Sequence, residues 1–251
     1  DIIHAKGFET KAGSDLPPKL FEGKEATVVK RLKNAGALIL GKTITTEFAY
    51  FEPGATRNPH NTEHTPGGSS SGSAAAVSGG FTPLAIGTQT IGSIIRPAAF
   101  CGIIGFKPSF DRIPTDGVIP FSVSADHIGI FTQDIEGIGL AASVLCKGWD
   151  TGVNTDKKPV IGAVIGEYLD QAESDIIDFF ELKVAELQSK GFTIIRINPF
   201  ENIQEINKKH LKMNAFEFSK VHKKWFKNHE ESYREKTKEL ILKGKELKKD
   251  D

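Results

Sequence analysis

Residues 66–109, PGGSSSGSAAAVSGGFTPLAIGTQTIGSIIRPAAFCGIIGFKPS, constrain the fold more tightly than any other stretch of the chain. Gly67-Gly68-Ser69-Ser70-Ser71-Gly72-Ser73 is a glycine- and serine-rich turn that runs into Ala74-Ala75-Ala76-Val77, a strong helix former. Small residues at a helix N-terminus leave backbone N–H groups pointing into open space, which suits a developing anion. Pro83–Thr88 reads as a short buried strand that feeds Gln89-Thr90-Ile91-Gly92-Ser93. A serine on a tight turn beyond a strand stands exposed, and the turn's own N–H groups can form an oxyanion hole beside it.

A Gly/Ser run alone reads as a linker. Here it is followed, at fixed spacing, by Gly87-Thr88-Gln89-Thr90-Ile91-Gly92-Ser93-Ile94-Ile95-Arg96-Pro97 and Ala98-Ala99-Phe100-Cys101-Gly102. The two linked motifs resemble the amidase signature family of serine hydrolases. The resemblance runs from about Asp1 to Trp149, and more loosely to Glu239. It implies an α/β fold with a mixed, largely parallel sheet covered by helices on both faces. It implies Ser93 as nucleophile and Ser69 as a proton-relaying serine on a cis peptide. The N–H groups of Thr90, Ile91, Gly92 and Ser93 match the oxyanion hole. The family's triad is completed by a lysine in a hydrophobic-Lys-Asp motif. Asp1 falls on the motif's aspartate, because Asp1-Ile2-Ile3 through Gly13-Ser14 resembles the family's sequence from that aspartate onward, so the base is expected one residue before Asp1. The chain is accordingly read as one amidase domain incomplete at both ends, with a signature core over 1–150 and a strand–helix–strand unit plus a helical region over 151–251. The implied activity is hydrolysis of a carboxamide through an acyl-enzyme, with the 251 residues inactive without that lysine. A neutral, buried lysine drawing a proton through Ser69 needs no metal or cofactor.

Two departures from the commoner family pattern stand out. Gln89 replaces an aspartate, and the arginine after Ser-Ile is displaced by one to Arg96, so a Gln89–Arg96 arrangement is expected in place of an ion pair. Ile91, where glycine or alanine is common, narrows the pocket without removing its N–H donor.

Several other features compete for a role. Gly36–Thr43 satisfies the phosphate-loop pattern G-x4-G-K-T, but its x positions, Ala37-Leu38-Ile39-Leu40, read as a buried strand preceded by a helix over Glu22–Asn34. Apolar strand residues do not present N–H groups to phosphate, and Lys42 is read as a solvated or structural residue. His60 and His64 lie in a loop near the site mouth without a catalytic role. Asp126-His127 beside Ser93 invites a chymotrypsin-like reading that the motifs do not support. His210, His222 and His229 are poorly spaced for a metal and read as solvated. Cys101 and Cys146 read as buried free thiols of a reducing, cytoplasmic setting.

Ile135–Leu145 reads as an amphipathic helix and Thr151–Lys158 as a polar break. Val160–Ile165, a helix capped by Ser174, and Phe192–Ile197 form a strand–helix–strand unit with parallel, buried strands. Residues 201–249 read as helical. Thirty-two basic and thirty-two acidic residues cancel, giving no case for nucleic acid, and no run reaches the ~18 apolar residues of a membrane span. The expected partner is a small-molecule amide; a homodimer is left open. Two other classes remain: the amidase subunit of a tRNA-dependent amidotransferase, against which Gln89 and Ile94-Ile95-Arg96 lean, and a non-catalytic relative that binds an amide or a partner protein.

Overall fold

A computed structural model describes residues 1–152 and 157–248. It divides into two compact units, residues 1–151 with 212–251, and residues 152–211.

In the first unit, β1 (Leu84–Gln89), β2 (Ile104–Phe106) and β3 (His127–Thr132) form a sheet in the order β1-β3-β2. Both outer strands run antiparallel to β3, with Ile86 opposite Ile130 and Phe106 opposite Ile130 on the other side. The α/β class is as expected. The balance of pairing differs, because parallel pairing among the described residues is confined to the second unit. β3 is apolar and buried along nearly its whole length, the signature of a strand covered on both faces. Ile128 and Ile130 pack with Val28, Val29 and Leu32 of α1 (Thr27–Asn34) and with Ile138 and Leu145 of α4 (Ile135–Leu145). Phe131 points the other way, onto Ala74 and Val77 of α2 (Ser71–Ser78) and Ala98 of α3 (Ile95–Phe100). Asp134 caps α4 by accepting from Gly137 N at 2.7 Å.

The strand expected at Ala37–Leu40 does not form, and Leu38 and Leu40 are 85% and 72% exposed. No described strand offers these residues a ladder partner, and an apolar run alone does not make one. The helix expected from Glu22 begins only at Thr27, although Ala26, Val29 and Leu32 are buried together as the periodicity predicts.

α6 (Ile203–His229) and α7 (Glu235–Glu246) are joined by a 3-10 turn at Glu230–Ser232. They cross the first unit's core through Phe218, Phe226, Leu240 and Ile241. The fully buried Glu47 carboxylate meets the start of α7, accepting from Arg234 N at 3.2 and 3.1 Å and from Thr237 Oγ1. This contact holds the turn Glu47–Ala49, whose Phe48 and Ala49 sit in the left-handed region at φ 46° and 62°.

His222, expected to be solvated, is completely buried against Phe48, Phe218, Trp225 and Tyr233. Its Nδ1 lies 2.9 Å from the Tyr233 hydroxyl, and its Nε2 has no partner among the described residues. Burial holds the ring neutral by pushing its pKa down to about 3. The unfolded chain therefore binds the extra proton first. The stability that His222 contributes is complete above about pH 6.5 and falls by about 1.4 kcal/mol per unit as pH drops toward 3. Burial raises the carboxyls of Glu47 and Asp126, which act in the opposite sense. Urea melts from pH 7 to 4 should show a steeper acid loss for the native chain than for His222→Gln; equal slopes would contradict the assignment.

In the second unit, β4 (Val160–Val164) pairs in parallel with β5 (Thr193–Ile197), and α5 (Ser174–Ser189) joins them. The order and direction match expectation, but the strands are not buried. Val160 is 62% and Ile195 49% exposed, because no third described strand flanks them. Glu173, not Ser174, occupies the cap position. Arg196 grips Glu181 through two hydrogen bonds of 2.7 and 2.5 Å. The expected polar break over Thr151–Lys158 lies in part outside the described residues.

Candidate active site

The two sequence motifs meet. Ser70 bridges them: its N–H donates to Ser93 O at 3.4 Å, its hydroxyl donates to Thr88 O at 3.1 Å, and that hydroxyl lies 3.2 Å from Thr88 N. Ser73 Oγ donates to Ile86 O at 2.9 Å, tying α2 to β1.

The Gly68–Ser69 peptide is cis. Hydrogen bonds hold it from both sides. Arg96 Nε donates to Gly68 O at 2.9 Å, while Thr45 Oγ1 and Thr46 N donate to Ser69 O at 2.9 and 3.2 Å. Both backbone acceptors are thus satisfied, yet the buried Ser69 hydroxyl has no partner among the described residues. Ser93 is buried at 8% exposure rather than standing exposed, because Ser70 and the α3 segment fold over its turn. Both serines line one cavity of about 290 Å³, together with Thr90, Ile91 and Arg96.

The anion-binding geometry lies in a different place from the one expected at the start of α2. There the Gly72 N–H donates to Ile44 O at 2.9 Å, and a side chain at Gly72 would lie 2.5 Å from that oxygen, so the helix end is packed, not open. The free donors lie beyond β1. None of the N–H groups of Thr90, Ile91, Gly92 and Ser93 donates a hydrogen bond among the described residues. Gln89 explains why these four are spared. It does not pair with Arg96; its Oε1 accepts from Ile94 N at 2.8 Å and Ile95 N at 3.0 Å, capping α3 and holding the preceding turn open. A neutral acceptor suffices for that task, so glutamine serves where aspartate is commoner.

A residue outside the predicted set braces this turn. Asp126 Oδ1 accepts from Thr90 Oγ1 at 2.5 Å, while Oδ2 accepts from Phe121 N and Ser122 N at 2.7 and 3.1 Å. Glu217 of α6 extends the brace, taking Ser122 Oγ at 2.6 Å and Ser124 Oγ at 2.7 Å. The sequence set Asp126 beside His127, but His127 turns its Nδ1 to Ala125 O at 2.7 Å. No sequence signal links Asp126 to Thr90, since the pairing exists only through the β1–β3 register. Asp126→Ala removes the acceptor that Thr90 Oγ1, Phe121 N and Ser122 N share and leaves these donors unpaired. It is expected to cost about 1–3 kcal/mol in a urea melt; an unchanged midpoint would refute the brace.

The remaining candidates fall elsewhere. Lys42 is structural: its Nζ donates to Thr10 Oγ1 at 2.5 Å and lies 3.5 Å from Asp1 Oδ1, and burial lowers it to about 8. It does not line the cavity of Ser69 and Ser93. His60 Nε2 lies 2.9 Å from Cys101 O and 3.1 Å from Ser78 Oγ, fastening the ends of α2 and α3. Cys101 and Cys146 are buried free thiols, both pushed up by burial. Among the described residues no cluster of three His, Cys, Asp or Glu is placed to hold a metal, and no helix is long and apolar enough to cross a membrane.

The sequence model of the Amidase family matches residues 1–249. The chain belongs to the amidase family. Among curated relatives, the A subunit of the glutamyl-tRNA(Gln) amidotransferase of Koribacter versatilis is 36% identical over 220 residues, 79% of this chain and 46% of that one. The corresponding A subunit of Treponema pallidum is 47% identical over 150 residues, 57% of this chain and 30% of that one. A solved amidase structure, 31% identical, superposes with a TM-score of 0.90 over 99% of this chain and 58% of its own. The native peptide amidase of Stenotrophomonas maltophilia, 25% identical, gives 0.79 over 98% and 60%. The chain spans about half the length of the curated relatives it matches.

Proposed function

We propose that this amidase-family chain carries the nucleophile half of a Ser–Ser–Lys amide hydrolase. The supporting observation is the row of N–H groups at Thr90–Ser93 that donate no hydrogen bond among the described residues, with Thr90, Ile91 and Ser93 lining one cavity with Ser69, whose hydroxyl has no partner there. Ser93 Oγ forms a bond to the carboxamide carbon while its proton passes through Ser69 to a neutral lysine, which the family pattern sets immediately before Asp1. The carbonyl oxygen becomes an anion held by the Thr90–Ser93 amides. The tetrahedral carbon then expels its nitrogen, which takes the proton back and leaves as ammonia or an amine. Water repeats the sequence on the acyl-enzyme, releasing a carboxylate and restoring the Ser93 hydroxyl.

A second reading rests on the identity to amidotransferase A subunits, in which the released ammonia would pass to a partner rather than to solvent. Stable co-purification with a second protein, and ammonia release dependent on it, would select that reading.

The test of the chemistry is covalent labelling. Incubating the whole protein with a fluorophosphonate and mapping the adduct by peptide mass should place it on Ser93. Labelling on another residue, or none under conditions where amide turnover is measured, would overturn the assignment.

A further inference from the structure

Positive charge gathers on one face of α6. Acidic and basic residues balance over the whole chain, and that average hides a local excess: residues 212–229 hold five lysines and one carboxylate, Glu217. That carboxylate is spent on Ser122 and Ser124. Lys212, Lys220, Lys223 and Lys227 follow one another at intervals of eight, three and four residues, which keeps them on one side of a helix, and Lys224 flanks them. Phe218, His222 and Phe226 take the other side and are buried. Lys220, Lys223, Lys224 and Lys227 are exposed. Among the described residues none of the five lysines lies within ion-pair distance of a carboxylate. Lys245 of α7 joins them from the side, its Nζ 4.1 Å from the Phe226 ring centroid, although α7 as a whole carries both signs. A row of like charges repels itself, and a polyanion laid along it relieves that repulsion.

What the face lacks decides which polyanion. No large apolar residue between 214 and 229 is exposed, so there is nothing to sink into a lipid headgroup layer and no anchor for a protein partner. Lysine is itself depleted where proteins bind one another. Phe216 is the aromatic ring nearest the row, and Lys220 Nζ covers it at 4.6 Å from the centroid, which leaves no platform for stacking unpaired bases. The remaining match is the phosphate backbone of a duplex, for which lysines alone suffice.

We propose that this face of α6 binds the backbone of double-stranded RNA without reading its sequence. The row from Lys212 to Lys227 spans about 22 Å at 1.5 Å per residue, the length of several phosphates along a strand. In A-form RNA the major groove is deep and narrow, so the phosphates of both strands flank its mouth and a single row of ammonium groups meets two rows of anions. The wider major groove of B-form DNA sets those phosphates farther apart and admits a helix that reads base edges, a task for which a row made of lysine alone is unsuited. The site is separate from the reading of Ser93 as a nucleophile and stands or falls without it.

The experiment is an anisotropy titration of the whole protein into a fluorescein-labelled RNA duplex of about 16 base pairs, between about 50 and 200 mM salt. The same sequence as DNA, and vesicles of phosphatidylcholine and phosphatidylserine, serve as competing probes. RNA should bind with a dissociation constant of roughly 1–100 µM near physiological salt, and the logarithm of affinity should fall against the logarithm of salt with a slope of about −4. Replacing Lys220→Glu, Lys223→Glu and Lys227→Glu together should weaken binding at least about tenfold and make the slope shallower by about 3. The three positions are exposed, and the corresponding Gln triple, which adds no new charge, should show the same change of slope if the Glu triple does not fold. Reversing the exposed Lys24, Lys30 and Lys147 to Glu alters net charge equally and should leave binding within about twofold, as a local site requires. RNA binding that is absent at the lowest salt overturns the proposal, as does equal weakening by both sets of reversals. DNA bound as tightly as RNA removes the A-form preference on which it rests, and vesicles bound in place of RNA would make the face a membrane contact instead.

Discussion

In the whole protein, Ser93→Ala is expected to lower amide turnover by about 10⁵- to 10⁶-fold, the scale of losing a nucleophile that acts with its base as a unit. Several hydroxyls line the cavity, including Thr46, Thr65, Ser69 and Thr90, so the size of the loss discriminates among them. Thr90 is committed to Asp126, and Ser69 is set by its neighbours through backbone rather than through its oxygen. If Ser69 relays the proton of Ser93, then Ser69→Ala should lose most of the same rate, and the double substitution should be little worse than Ser93→Ala alone. Multiplying losses would mean that the two serines act independently. Retention of more than roughly a thousandth of the native rate by Ser93→Ala would move the nucleophile elsewhere, since an oxyanion-hole donor alone is worth roughly 10²–10³.

The largest expected effect on stability lies far from the cavity. In Gly244→Ala, an added Cβ on α7 would collide with the Ala215 carbonyl oxygen of α6, lie 2.5 Å from the Ala215 carbonyl carbon, and lie 2.7 Å from Ser219 Cβ. The nearest obstacle is backbone, so no rotamer change relieves it and the two helices must separate. Phe218, Leu240 and Ile241 of the core, together with the Glu47 anchor at the start of α7, would shift with them. Overpacking of this kind is expected to cost about 3 kcal/mol or more, read as a lowered urea midpoint. Gly139→Ala supplies the contrast. That glycine is inside α4 with no atom within 4 Å of an added Cβ, so the change should stabilise by about 0.5–1 kcal/mol. If the two substitutions shifted the midpoint alike, helix propensity and not α6–α7 contact would govern position 244.

Much of the molecule was legible from local pattern. The linked motifs of residues 66–109 placed α2, β1 and the Ser93 turn, and periodicity located α4 and the parallel β4–α5–β5 unit. The misreadings share a cause: each depends on what a segment meets in space. Ala37–Leu40 has strand composition but no ladder partner. His222 has the spacing of a solvated histidine and is sealed by four aromatic rings. Gly72 reads as an open anion site, yet the Ile44 backbone fills that space.

The chain by itself determined its family, and the resemblance its two linked motifs carry proposes Ser69, Ser93 and the Thr90–Ser93 amides as the candidate site, because motif residues and their spacing are local properties of sequence. Tertiary structure decided how that site is held. Asp126 reaches Thr90 through strand register, Arg96 reaches Gly68 across 28 residues, and Glu47 caps a helix 187 residues away. Hydrogen bonds between such distant residues carry no periodicity and no composition signal; only the folded backbone, which sets their separation in space, determines which donors are spent and which remain for a substrate.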